Sequence, residues 1–226
     1  MNNETGVSIV IVEDHPLMRK GIKKVIEDEA AMRVVGEAVS ANDAIAIIAR
    51  EEPDIVIVDI SLDAEASGID LITTMRSRGI ASKSIVLSMH TEAYYVERAI
   101  RAGAMGYLSK SDAPASIIDA IMAVMSGKLY VSGRISGDLI RGLLDGAEKA
   151  DGAPVDLLSN RELMVFEMIG AGYKSLEIAG KLNISVNTVE AHRKKIRAKL
   201  GCASSGELTR HAIAWLHANN RPAPLP

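Results

Sequence analysis

VSIVIVEDHP, residues 7–16, decides how the chain folds. A short, largely β-branched apolar run stops at two carboxylates, Glu13 and Asp14. Pro16 then opens a stretch in which Met18, Ile22, Val25 and Ile26 fall at helical spacing. An apolar run without polar alternation reads as a strand buried on both faces of a parallel sheet. The same unit recurs outward from it. Strands are expected near 7–12, 33–38, 54–58, 84–88 and 105–109. Helices are expected near 16–29, 42–51, 68–78, 92–102 and 113–126. Five such repeats predict an α/β, doubly wound, five-stranded parallel sheet with helices on both faces.

The strand ends carry the chemistry. Glu13 and Asp14 follow VSIVIV, Asp59 follows DIVIV, Ser88 ends SIVLS, and Lys110 follows GYLS. In open α/β sheets ligands bind in the crevice outside the carboxyl ends of the strands, so these groups converge there. Carboxylates, a hydroxyl and an ammonium at one point suit a divalent cation and a phosphoryl group. Mg²⁺ takes oxygen ligands and keeps several waters. Glu13, Asp14 and Asp59 offer carboxylates, and the backbone carbonyl of Ser61 is placed to offer another oxygen. Asp59 is the candidate phosphoryl acceptor, since carboxylates serve as covalent nucleophiles. Lys110 would pair with the phosphoryl oxygens, and Ser88 would donate a hydrogen bond to one of them.

Composition narrows the class. With 226 residues and 48% hydrophobic content the chain supports more than one packed core, and one Trp and one Phe make those cores aliphatic. No apolar stretch approaches the ~18 residues that span a bilayer. MNNETG lacks the basic and apolar segments of a secretory signal. Cys202 has no partner for an intrachain disulfide. A cytoplasmic protein without membrane association is expected. Charge is uneven: residues 155–226 hold ten Lys and Arg against six Asp and Glu, and the remainder holds sixteen against twenty-three. A basic tail behind an acidic front points to nucleic acid as the tail's partner.

After residue 127 the pattern changes. Residues 128–154 read as a linker with a short helix in SGRISGDLIRGLL, least ordered in pattern at 145–155. From Leu157 the chain reads as helix only. Ser159 and Glu162 form a capping box before Leu163, Val165, Phe166, Met168 and Ile169. Gly170 and Gly172 end that helix. Ser175 to Leu182 is a short helix, Asn183 a tight turn, and Ser185 caps a helix that Gly201 stops. A fourth helix spans Ser204 to Ala218. Two short helices around a tight turn, the second basic, form a helix-turn-helix. On the second, Val189, Ile196 and Leu200 face the core, while Glu190, Arg193, Lys194 and Arg197 face out. The domains are expected at 1–127 and 155–226, the latter an all-α four-helix unit.

EDHP at 13–16, Asp59, Ser88 and AGAMGYLSK at 102–110 together resemble the CheY-like receiver of two-component response regulators. LSNRE at 158–162, EIA at 177–179 and TVEAHRKKIRAKLG at 188–201 resemble the LuxR/FixJ (NarL-type) family. The resemblance implies a DNA-binding transcription factor that is not an enzyme beyond its own phosphorylation and dephosphorylation. Asp59 would take a phosphoryl group from a histidine kinase or a small phosphodonor, with Mg²⁺ at Glu13 and Asp14. Ser88 and Tyr107 would be the switch pair: Ser88 moves toward the phosphoryl group and Tyr107 turns inward behind it. Glu190, Ala191 and Lys194 would read base edges, Glu190 accepting from cytosine N4 and Lys194 donating to guanine O6/N7. Ser185, Thr188, Arg193, Arg197 and Lys199 would contact phosphates. Promoter DNA would be bound by a homodimer, paired through Leu208, Ile213 and Leu216 of the last helix or through the helices near 16–29 and 113–126. RNA polymerase is admitted as a partner at the promoter.

The sequence departs from the receiver pattern after Asp59. ISLDAEASG stands where the family often has Met-Pro, the acidic loop Asp63–Glu65 lies beside the site, and Gly68 falls one residue late. Ser111 stands where many receivers have proline. Rival readings are a turnover phosphatase or phosphotransferase, a ligand-sensing regulator, and a regulator independent of phosphorylation. The first lacks a second acid/base after Asp59, because residue 61 is Ser.

Overall fold

The computed structural model describes residues 6–62, 67–90, 93–133, 135 and 154–218. The chain divides into two compact units, residues 1–147 and 148–226. The loop at Asp63–Glu65, and nearly all of the short helix and linker expected after residue 131, lie outside the described residues.

In the first unit, strand and helix alternate: β1 (Val7–Val12), α1 (Pro16–Glu27), β2 (Met32–Ala38), α2 (Ala41–Glu51), β3 (Ile55–Asp59), α3 (Gly68–Ser77), β4 (Lys83–Ser88), α4 (Ala93–Ala102), β5 (Gly106–Ser109) and α5 (Ala113–Met125). The strands are parallel in the order β2-β1-β3-β4-β5-β6, where β6 is Tyr130–Val131. One face of the sheet packs Ile9, Ile11, Ile55, Ile57, Ile85, Leu87 and Leu108 against Ile22 and Ile26 of α1 and Ile117, Ile121 and Val124 of α5. Val10, Val12, Val56, Val58 and Val86, in the alternate positions, are equally buried. Burial on both faces is why these runs show no polar alternation. Each such side chain contributes about 1.5–3 kcal/mol.

The helices begin where local chemistry directs. His15 is extended, and Pro16 in the first turn of α1 needs no amide donor there. Ser40 accepts from the Asp43 amide at the start of α2. Ser67 and Asp70 form a capping box that starts α3, and Gly68 donates its N–H to the Ile60 carbonyl. The ammonium of Lys83 caps the last turn of α5, 3.0 Å from the Val124 carbonyl and 2.9 Å from that of Met125.

The sheet has a sixth strand beyond the five expected. Tyr130 and Val131 pair with Gly106 and Tyr107. Ser132 N–H donates to the Tyr107 carbonyl at 3.1 Å. Two residues carry no readable period, so only the exposed edge of β5 explains the strand: its unpaired groups take the returning chain.

The second unit opens with a 3-10 turn (Pro154–Leu157), followed by α6 (Asn160–Gly170), α7 (Ser175–Lys181), α8 (Val186–Leu200) and α9 (Ser205–Ala218). The Ser159–Glu162 capping box forms as expected. Asn183 (φ 51°) turns the chain between α7 and α8, and Gly201 (φ 68°) ends α8 in the left-handed region. α6 and α9 approach closely: a Cβ on Gly170 would lie 2.6 Å from the Ala212 carbonyl oxygen. Phe166 and Trp215 stack at 5.9 Å. This packing corrects the expected pairing face of the last helix. Leu208 and Leu216 are buried in the protein itself, and of the three residues only Ile213, 40% exposed, is available.

Two glycines predict opposite outcomes. A Cβ on Gly68 would lie 2.1 Å from the Asp59 carbonyl oxygen, whereas one on Gly21, inside α1, meets nothing within 4 Å. Gly68→Ala should lower stability by about 1–3 kcal/mol or more, and Gly21→Ala should raise it by about 1 kcal/mol. Urea unfolding of the two variants beside the parent checks both.

Candidate functional site

The strand order brings the expected groups together. β1 and β3 are neighbours at the centre of the sheet, and β5 lies two strands from β3. Glu13 and Asp59 are 0% and 1% exposed, and Asp14 sits at the rim. Lys110 reaches across from the end of β5: its Nζ is 2.8 Å from Glu13 Oε2, 3.0 Å from Glu13 Oε1 and 2.8 Å from Asp59 Oδ2. Asp59 Oδ1 accepts the Ser61 N–H at 3.1 Å. Ser61 thus lies against the Asp59 carboxylate, through its amide. Arg19, which the sequence reading did not single out, donates to the Glu13 carbonyl at 2.7 Å and fixes the end of β1 to α1.

Charge at this point is unbalanced. Burial, then repulsion from Asp59, pushes Glu13 above the ordinary carboxylate range, against the lowering effect of Lys110. Burial disfavours the Lys110 ammonium, but Asp59 and Glu13 outweigh it and hold its pKa up. Glu13 Oε2, Asp14 Oδ1 and Asp59 Oδ2 are buried and accept no well-aligned hydrogen bond among the described residues. Their neighbours are cationic or imidazole groups at ion-pair distance. His15 supplies the imidazole: its Nδ1 is 2.7 Å from Asp14 Oδ1 and 3.1 Å from Glu13 Oε1. His15 was not among the residues expected at the site, although its adjacency to both carboxylates was a usable signal. One oxygen each of Glu13, Asp14 and Asp59 and a ring nitrogen of His15 lie within 4.8 Å of one another. A cavity of about 630 Å³, lined by Leu17, Met18, Ile22, Met89, Lys110 and Pro114 among others, opens beside the cluster.

Ser88 and Tyr107 sit behind it, on paired strands. Ser88 Oγ accepts the His90 N–H at 2.9 Å. Tyr107 is fully buried, and its hydroxyl donates to the His90 carbonyl at 2.8 Å. His90 therefore ties both groups together through its backbone, and its ring lies 4.4 Å from that of Tyr95.

On α8, Ser185 accepts the Thr188 N–H at 3.0 Å and lies 2.8 Å from the Thr188 hydroxyl, so both residues cap the helix. Glu190, Ala191 and Lys194 are exposed. Arg193 is more covered than a solvent-facing position implies: its side chain is 16% exposed, and Nε lies 3.8 Å from Glu190 Oε1. Arg197 is half-buried. Lys199 Nζ lies 2.6 Å from Glu162 Oε2, so its ammonium is engaged within the unit. His192, not singled out from sequence, is half-buried, and neither ring nitrogen has a partner among the described residues. Burial, then the Arg161 and Lys195 cations, lowers its pKa and keeps the ring neutral.

A parallel sheet with carboxylates and one lysine at its carboxyl edge, joined in one chain to a helix-turn-helix with a basic second helix, defines a class of signal-receiving, nucleic-acid-binding proteins. Comparison with known proteins makes the class specific. Residues 9–122 match the response regulator receiver domain, and residues 156–212 match the bacterial regulatory proteins of the luxR family. The chain is 34% identical over 207 residues to the response regulator UvrY of Escherichia coli K12, covering 92% of this chain and 94% of that one. A LuxR-family two-component response regulator from Aurantimonas sp. SI85-9A1 superposes with TM-score 0.59 at 31% identity, over 62% of this chain and 99% of that one. RcsB from Salmonella enterica serovar Typhimurium, solved on promoter DNA with phosphomimetic BeF₃⁻, superposes with TM-score 0.58 at 25% identity, over 95% of this chain and 98% of that one. The chain belongs to the LuxR family of two-component response regulators, which are DNA-binding transcription factors and not enzymes in the usual sense.

Glu162 carries a pH prediction for the second unit. Burial opposes its charge, but Lys199, the Ser159 amide and the Ser159 hydroxyl outweigh that and hold its pKa below the ordinary value of 4.5. A depressed carboxylate contributes stability that is present above 4.5 and is lost as pH falls through the folded-state value. Glu162→Gln should cost about 1 kcal/mol at neutral pH, and the gap to the parent should close in acid. Denaturant midpoints of both proteins between neutral and acid pH read this out.

Proposed function

We propose that Asp59 is the phosphoryl acceptor of this regulator, and that its phosphorylation controls promoter binding through α8. The observation that carries the reading is the Lys110 ammonium, 2.8 Å from the Asp59 carboxylate and 2.8 Å from Glu13. In the reaction a new bond forms between an Asp59 oxygen and phosphorus. The bond from phosphorus to the donor breaks, that donor being a kinase phosphohistidine or a small acyl phosphate, and the leaving group departs with its electron pair. Lys110 is positioned to pair with the phosphoryl oxygens and to offset the charge they bring. The Ser61 amide holds one Asp59 oxygen in place. Ser88 leaves its bond with the His90 amide to donate to a phosphoryl oxygen, and Tyr107, already inward, fills the space behind it.

The residues fit the family's metal ion. Three carboxylates gathered around one ammonium, and the raised pKa of Glu13, mark an excess of negative charge. Glu13, Asp14 and Asp59, with the Ser61 carbonyl, would hold Mg²⁺, which when bound supplies positive charge against the carboxylates and the incoming phosphoryl group.

The working halves are residues 1–127, the receiver, and 155–226, the DNA-binding domain, joined by 128–154. On α8, Glu190, Ala191 and Lys194 are the base readers. Ser185, Thr188, Arg193 and Arg197 are phosphate contacts, and Lys199 joins them only by releasing Glu162. A homodimer on DNA is favoured by half-site geometry. No described helix is long and apolar enough to cross a membrane, and a regulator of promoter DNA belongs in the cytoplasm, with RNA polymerase as a further partner there.

Intact mass after incubation with acetyl phosphate and Mg²⁺ tests the core of this reading. The parent should gain one phosphoryl group, Asp59→Asn none, and Lys110→Ala markedly less at equal times. An adduct that persists in Asp59→Asn removes Asp59 as the acceptor.

A further inference from the structure

Glu190 is an unusual side chain to find on the exposed face of a DNA-reading helix. It is acidic, 57% exposed, and flanked by the cations of Arg193, Lys194 and Lys195. Brought against a duplex, a carboxylate is repelled by phosphates and by the acceptor atoms guanine O6 and N7 and thymine O4. Only base edges that present an exocyclic amine, above all cytosine N4, reward it. A flexible carboxylate would discriminate weakly, because it could turn away from the wrong base and order only for the right one.

Glu190 is not flexible here. Ser175, the first residue of α7, donates its hydroxyl to Glu190 Oε1 across the helix-turn-helix, at 2.5 Å. Arg193 Nε stands 3.8 Å from the same oxygen, one turn along α8. The hydroxyl that binds Oε1 belongs to the supporting helix, and the cation near it to the reading helix. Among the described residues no donor engages Oε2, which is left to accept from outside. Ser175 is itself half-buried and fixed by the first turn of α7, where the Lys174 amide is capped by Glu177 at 2.8 Å.

We propose that Ser175 is a positioning residue for sequence recognition: it fixes the Glu190 carboxylate with Oε2 outward and so sets a preference for cytosine at the one base position Glu190 reaches. This rests on the reading of Glu190 as a base contact and extends it to a residue on the other helix of the motif. Neither residue alone specifies the base. Glu190 supplies the acceptor, and Ser175 removes the alternative rotamers through which a mismatched base would be tolerated.

Selection of a random-core duplex library by the full-length protein, treated with beryllofluoride and Mg²⁺, gives a base-preference matrix for the parent and for Ser175→Ala, Ser175→Thr and Glu190→Ala. Glu190→Ala should erase the cytosine preference at one position. Ser175→Ala should weaken it about fivefold at that same position, with the rest of the matrix as in the parent, and Ser175→Thr, which keeps the hydroxyl, should restore it. A Ser175→Ala matrix identical to the parent's overturns the proposal while leaving Glu190 as a base reader. Uniform flattening of all positions, with a lowered melting temperature, makes Ser175 a scaffold residue and also overturns it. A Glu190→Ala matrix unchanged from the parent defeats the base-contact reading itself.

Discussion

One ammonium, that of Lys110, holds the carboxyl edge of the sheet together electrostatically. Glu13 and Asp59 are almost completely buried side by side, and burial together with repulsion from Asp59 makes Glu13 resist ionisation. Lys110 approaches both at 2.8 Å. It comes from β5, two strands away from β3, so only a long side chain with a terminal charge spans the gap. Removing one partner of such a cluster leaves buried charge uncompensated, which costs far more than the cluster contributes when complete. With Lys110 in place the cluster still carries more negative than positive charge, as the raised pKa of Glu13 records. The site is stable enough to fold, yet remains receptive to a cation and to groups that a cation accompanies.

The parallel sheet is what permits this arrangement. Its strands are apolar on both faces, so the only places along them for polar chemistry are their ends. Asp59 is the last residue of β3 and Ser88 the last of β4, while Glu13 and Lys110 each follow their strand by one residue. Close packing then fixes Asp59 further: α3 starts so near it that only glycine fits at position 68. That glycine falls one residue later than in the usual receiver spacing, yet the amides of Ser61 and Gly68 close onto Asp59 and Ile60.

Much of this is legible in the sequence because burial on two faces writes itself as unbroken Val and Ile runs, and because caps such as Ser159–Glu162 and Ser185–Thr188 are local. What escaped depends on contacts between distant residues or on backbone groups. The Lys199–Glu162 pair joins residues 37 apart, and the Ser175–Glu190 bond joins residues 15 apart, so neither the helical face that placed Glu190 outward nor the resemblance that made Lys199 a phosphate contact showed what holds them. Tyr107 was found by resemblance, but its partner is the carbonyl of His90, which no side-chain pattern reports. The resemblance implied a pairing face at Leu208, Ile213 and Leu216, but a family likeness does not tell which of these side chains the domain's own core takes up; α6 approaches closely at Gly170, and Leu208 and Leu216 are buried there.

The sixth strand shows how a feature too short to read can still matter. β6 is bonded to β5 at both ends of its two residues, by Tyr130 N–H to the Met105 carbonyl and by Ser132 N–H to the Tyr107 carbonyl. Ser132 and Ile135 are buried beside it, which anchors the chain as it leaves the sheet. The residue that accepts the Ser132 bond is the same Tyr107 whose hydroxyl bonds His90, and His90 in turn bonds Ser88. A change in the packing of Tyr107 that moves its backbone must therefore carry Ser132 with it or break a hydrogen bond worth about 1 kcal/mol. Either response alters the first residues of the segment that follows the receiver. Hydrogen bonds from Ser88 to His90, from His90 to Tyr107 and from Tyr107 to Ser132 thus join the end of β4 to the chain that leaves the sheet.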